Sequence, residues 1–207
     1  PETEKVTEEK TGTKTETQAA EDAETKAAEG AGKKKIGFAE CSYAGDWRVA
    51  EVEDIEAKAA EYGYELIMTN AEDDVEKEIA DVEDLIAQGC DLIVIVPVDA
   101  EAAKPAFDAC KAAGIPVVDM DTQYTGGTWG EDFITTIRSD QYAQGQAAAE
   151  WVINTYGKEE ALTVLEITGT MGRTDAQNRH NGFADYMAEY DNITIVSQSG
   201  DWDAAKA

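Results

Sequence analysis

The chain has 207 residues, enough for one or two domains with a sizeable core. It carries 44 acidic residues against 17 basic ones; residues 1–35 hold 9 and 7 of these, so the remainder keeps 35 against 10. Such a surface repels phosphate backbones and anionic lipid, which argues against nucleic acid and peripheral membrane binding.

Residues 1–35 are built almost wholly from Glu, Thr, Lys and Ala, and Val6 is their one sizeable apolar side chain. A segment with so little to bury cannot offset its chain entropy, so it is expected to be a disordered acidic, Thr-rich tether. The start at Pro1 rather than Met suggests a processed or trimmed chain. No hydrophobic signal segment and no run of transmembrane length is present.

From residue 36 apolar runs alternate with helical patterns. The runs "KIGFA", "ELIMT", "DLIVIV", "IPVVDM", "FITTI", "LTVLEI" and "ITIVS" read as seven strands, and those rich in consecutive Val and Ile suit parallel strands covered on both faces. Between them Val52, Ile55, Ala59 and Tyr62 step by 3, 4 and 3, and Val75, Ile79, Val82 and Ile86 by 4, 3 and 4, the spacing of core-facing helices. Gly63, Gly89, Gly114 and Gly157 follow helix ends and suit left-handed caps. Repeated strand–helix units predict a doubly wound, parallel α/β sheet, which binds ligands at the carboxyl ends of its strands.

Those strand ends hold the residues of chemical interest. "ECSYAGDWRVAEVE" places Trp47 and Arg48 side by side after the first strand, an aromatic and a scarce cation that do not suit the core. "VVDMDTQY" supplies Asp119 and Asp121, "ITGTMGRTDAQNR" supplies Arg173 and Arg179, and "SQSGDWDAAKA" supplies Asp201 and Trp202. No loop offers a nucleophile–base pair, and "GTMGRT" lacks the lysine of a phosphate-cradling loop. The only histidine, His180, falls inside a predicted helix with no evident partner. Cys41, Cys90 and Cys110 have no metal-ligand spacing, and their odd number argues against a disulfide framework; Cys90 and Cys110 read as buried thiols. No metal and no cofactor is called for.

Aromatic faces beside planar charged groups are the chemistry of a sugar clamp. The C–H face of a sugar packs on an indole, while adjacent hydroxyls match carboxylate and guanidinium partners. Each residue also has a plainer reading. Trp47 could staple a helix start, Arg179 could be a solvated helix position, and Asp121 could cap a turn. "DMDTQ" is close to the paired aspartates of haloacid-dehalogenase-type phosphatases, but it follows the fourth strand rather than the first. An enzyme of that kind would work through Asp119 and Asp121 with a metal.

Taken together, "IGFAECSYAGDWRVAE", "PVVDMD", "TTIRSDQYAQGQ", "VLEITGTMGRTDAQNRHNGF" and "NITIVSQSGDW" resemble the type I periplasmic sugar-binding proteins of ABC importers, in the ribose- and galactofuranose-binding group. The "WR" pair is most similar to the galactofuranose branch. The resemblance implies a non-catalytic protein with two α/β lobes that close on a monosaccharide by a hinge. By it Trp47, Arg48 and Asp121 contact the sugar from a first lobe, residues 36–138, and Arg179 and Trp202 from a partial second lobe, residues 139–207. The first crossing between lobes is expected near Ile137, with Arg138 close to the hinge and Ser139 or Asp140 capping the next helix. Thr122 stands where the family usually has Arg, which leaves the identity of the sugar open among galactofuranose-, ribose- and galactose-like ligands. The resemblance further implies an ABC permease as partner, a monomer, and an extracytoplasmic location, with the tether similar to the spacer behind a lipidated cysteine. A chemoreceptor-linked sensor or a sugar-responsive repressor core of the same fold are the alternatives. Family members continue beyond "GDWDAAKA" and return to the first lobe, so the 207 residues alone are expected to bind sugar weakly.

Overall fold

In the computed structural model residues 33–159 and 161–207 are described. The tether expected over 1–35 therefore lies outside the described residues except for its last three, and Lys35 already opens the first strand. The runs of Val, Ile and Leu favour extended backbone, because branched side chains pack well on a pleated surface. They form β1 (Lys35–Glu40), β2 (Glu65–Asn70), β3 (Leu92–Ile95), β4 (Val117–Met120) and β5 (Thr135–Ile137). These pair in parallel in the order β2-β1-β3-β4-β5, with Phe38 of β1 beside Met68 on one flank and Val94 on the other.

Three helices link these strands: α1 (Asp46–Tyr62), α2 (Val75–Ala87) and α3 (Lys104–Ala113). On one face α2 and α3 bury Val82, Leu85, Phe107 and Cys110 against Ile93, Ile95 and Val117. On the other, Val52 and Ile55 of α1 pack over Phe38, Cys41 and Val96. Helices on both faces make the sheet doubly wound, as the sequence pattern predicts. The stripe of α1 ends a turn early, since Tyr62 is exposed rather than in the core. Glu78, whose charge hides its place on the inward stripe of α2, is buried there and accepts a hydrogen bond from the Val98 amide.

Helix ends follow local chemistry. Asp74 caps α2 by accepting from the Lys77 amide, and Asp140 caps α4 (Gln141–Tyr156) by accepting from Ala143. Gly63, Gly89 and Gly114 have positive φ near 70°, as expected of left-handed caps. Gly157 does not: its φ of 88° comes with a ψ of 169°, because the chain leaves α4 extended.

A second sheet pairs β6 (Leu162–Thr168) with β7 (Ile193–Ser199), also in parallel, through α5 (Thr174–Met187). Ala149 and Ile153 of α4 and Phe183 and Met187 of α5 form a core with Val164, Ile193 and Ile195 on one face. On the opposite face Leu165, Ile167 and Val196 are exposed. All three cysteines are free and buried.

Candidate functional site

The carboxyl ends of β1 and β4 bring the first group of expected residues together. Gly45, with φ of 92°, turns the chain after β1 so that α1 opens on Asp46, Trp47 and Arg48. The two neighbours then part. Trp47 is 61% exposed, while Arg48 is buried, contrary to the expectation that neither enters the core. What admits the guanidinium is a set of carboxylates. Its Nη2 donates to Asp121 at 2.6 Å, its Nη1 donates to Glu51 at 2.7 Å, and Glu40 lies 3.6 Å away. A desolvated cation needs such compensation to be tolerated. The guanidinium carbon lies 4.8 Å from the centroid of the Trp47 ring, so the indole is propped by a cation–π contact and keeps its outer face open.

Asp121 has a φ of 58°, in the left-handed region, and its amide donates to Ile137 at 2.9 Å. A carboxylate residue held in that conformation at a strand end is a common mark of a site whose geometry matters more than local comfort. Beside it Thr122 is fully buried and its hydroxyl has no partner. Burial pushes the Glu40 carboxyl up to about 7 against the opposing pull of Arg48.

Asp119 has a different task. It accepts from the Tyr124 amide at 3.2 Å and from the Thr136 hydroxyl at 3.0 Å, and burial raises it to about 6. Its carboxylate thus ties down the loop after β4, whereas Asp121 is held by Arg48. The two aspartates have different partners.

The second expected group forms around α5 and the turn after β7. Arg179 donates from Nε to Gln144 at 2.8 Å and lies 3.6 Å from Asp175. Its guanidinium carbon is 5.8 Å from the Trp202 ring centroid. Trp202 is 51% exposed and lies flat against Gly169, where an added Cβ would fall 2.1 Å from the indole. Among the described residues no hydrogen bond or ion pair joins this group to Trp47, Arg48 and Asp121. A groove of about 260 Å³ runs beside Arg179 along Gln144, Val164 and Phe183, and one of about 380 Å³ lies between α1 and β2; neither is at Trp47. Arg138 is exposed between β5 and α4.

Sequence reasoning passed over Glu40 and Glu51, whose side chains the fold buries beside Arg48. Arg173 is buried with its Nη2 donating to the Cys41 sulfur. The scarcity of cations singles out Arg173 in the sequence without giving it a partner, while nothing in the pattern sets Glu40 or Glu51 apart. His180, expected without a partner, has Nδ1 at 2.8 Å from Glu166.

Comparison with known proteins gives the family. The periplasmic binding protein domain family matches residues 36–207. The ribose import binding protein of Bacillus subtilis (strain 168) is 31% identical over 179 residues, covering 85% of this chain and 56% of its own. The galactofuranose-binding protein of Escherichia coli (strain K12) is 30% identical over 172 residues, covering 83% of this chain and 54% of its own. Among solved structures, the periplasmic binding protein component of the arabinose ABC transporter from Shewanella sp. ANA-3, bound to α- and β-L-arabinofuranose, superposes with a TM-score of 0.78 at 33% identity. It covers 84% of this chain and 57% of its own. The chain spans about half the length of the curated relatives it matches.

Proposed function

Because the chain belongs to the periplasmic binding protein domain family, we propose that it captures a monosaccharide for an ABC importer. The observation that carries this reading is the strand-end group of Asp121, Arg48 and Trp47: a backbone-fixed carboxylate, oriented by a buried guanidinium, beside an open indole face. The indole takes the C–H face of the ring. Asp121 accepts from two adjacent hydroxyls while Arg48 holds its other side. Arg179 and Trp202 repeat the same pairing of cation and indole, and in this reading they close on the opposite side of the sugar. The boundary between the lobes then falls at Arg138.

The ligand class follows from charge and size. Arg48 already faces three carboxylates and Arg179 is engaged by Gln144 and Asp175, which favours an unphosphorylated sugar. A relative named for galactofuranose and a solved relative holding arabinofuranose favour a five-membered ring, while a relative named for ribose keeps a pentose of either ring size in play. The role is non-catalytic, the protein acts as a monomer outside the cytoplasm, and the permease reads the closed form. A lipid anchor holds it at the membrane surface.

A thermal-shift screen tests this. Ribose, galactofuranose or arabinofuranose at about a hundredfold excess over the dissociation constant stabilises by about 2.7 kcal/mol, a rise of several degrees, whereas ribose 5-phosphate gives none. A magnesium-dependent phosphatase activity that disappears in Asp121→Asn would replace this reading with the enzyme.

A further inference from the structure

Among the described residues, Arg173 and Thr174, at the start of α5, make hydrogen bonds and an ion pair that cross from the five-stranded sheet's part of the chain to that of the two-stranded sheet. Thr174 Oγ1 accepts from the Gln123 amide at 3.1 Å. Arg173 reaches further: Nη2 donates to Cys41 Sγ at the end of β1, and Nη1 lies 3.5 Å from Asp73 after β2. The residue is only 7% exposed, and its Nε has no partner.

This contact is poorly compensated for a buried guanidinium. A thiol is a weak acceptor, Asp73 is long and largely exposed, and one donor is unpaired. Desolvating an ion is costly, and an exposed partner returns little of that cost. Withdrawing Arg173 into water therefore recovers much of what the contact supplies, which suits a reversible contact better than a permanent one. The contact also continues into the first site. The Cys41 thiol donates to Glu40 Oε1 at 3.2 Å, and Glu40 faces Arg48, which holds Asp121.

We propose that Arg173 is a closure latch, a positioning residue that pins the β6–α5 loop over the ends of β1 and β2. Through Cys41, Glu40 and Arg48 it is joined to the clamp at Asp121. The latch stands on the contacts alone; only its gating of a sugar rests on the function proposed above.

The cysteines supply the test. Cys41 lies under Arg173, whereas Cys90 and Cys110 lie in the core beneath α2 and α3 and report unfolding there. In the full chain, each cysteine's labelling by a thiol reagent is followed by peptide mass. Arg173→Gln is expected to raise the Cys41 rate about tenfold and leave Cys90 and Cys110 unchanged, since labelling tracks the population of the open form. The sign is informative: an electrostatic role alone would slow Cys41, because removing a cation disfavours the thiolate. Asp73→Asn, a milder change on the exposed side, should give a rise of about twofold at Cys41 alone. An unchanged or slower Cys41 rate in Arg173→Gln overturns the proposal. So does acceleration of all three cysteines together, which would make Arg173 a fold residue. Protection of wild-type Cys41 by added ribose or arabinofuranose tests the gating separately; its absence, with the Arg173→Gln effect intact, removes the sugar reading and leaves the latch.

Discussion

Trp47 and Arg48 are adjacent in sequence and opposite in energetic role. Removing the Arg48 side chain strands Glu51 and Asp121 beside Glu40 in a buried setting. Arg48→Ala is therefore expected to destabilise the protein by about 3–5 kcal/mol in urea unfolding, as for other broken buried pairs. Trp47→Ala removes an exposed indole and should change stability by less than about 0.5 kcal/mol. Equal losses in the two variants would mean that Trp47 is a structural staple. Asp119 gives a second residue-scale test. Its folded-state carboxyl is raised to about 6, chiefly by burial, so its contribution is full below the ordinary value of 3.8 and is lost as pH rises through about 6. Asp119→Asn keeps an acceptor for the Tyr124 amide without the ionisation. Its urea midpoint should lose less than that of wild type between about pH 4 and pH 7; a parallel loss in both proteins would refute the assignment.

At the scale of elements, α4 and α5 cross where each presents a glycine to the other's backbone. A Cβ at Gly145 would sit 2.1 Å from the Arg179 carbonyl oxygen, and one at Gly182 the same distance from that of Tyr142. In an open helix Gly→Ala stabilises by about 1 kcal/mol. Here Gly145→Ala should instead cost about 1–3 kcal/mol through overpacking and should push Arg179 away from Trp202; a stabilised variant would show that the helices cross differently. The strands were legible because their apolar runs are short, dense and bounded by turns. This crossing was not, since a glycine inside a helical pattern reads the same whether it faces solvent or another backbone. The buried Glu78 was missed for a related reason: its charge masks a position in phase with Val82 and Leu85.

At the scale of the whole molecule, parallel α/β winding on both faces of the first sheet could be read from the alternation of patterns. The candidate site could be read only as a set of separate strand-end residues. Sequence spacing named Arg48 and Asp121, 73 residues apart, without indicating that they share one ion pair. It also gave no sign that Arg173 reaches across 132 residues to Cys41. Such pairings depend on which strand ends the topology sets side by side, and the order β2-β1-β3-β4-β5 is not encoded in any local run. In the proposed function, the Asp121–Arg48–Trp47 group recognises an unphosphorylated sugar. Isothermal titration with ribose, galactofuranose and arabinofuranose, run on the full-length protein and its Trp47→Ala and Asp121→Asn variants, tests this. Saturable heat is expected with at least one sugar, with binding weakened by about 1–3 kcal/mol in Trp47→Ala and about 1.5–3 kcal/mol in Asp121→Asn. Sugar binding that both variants leave unchanged would contradict it.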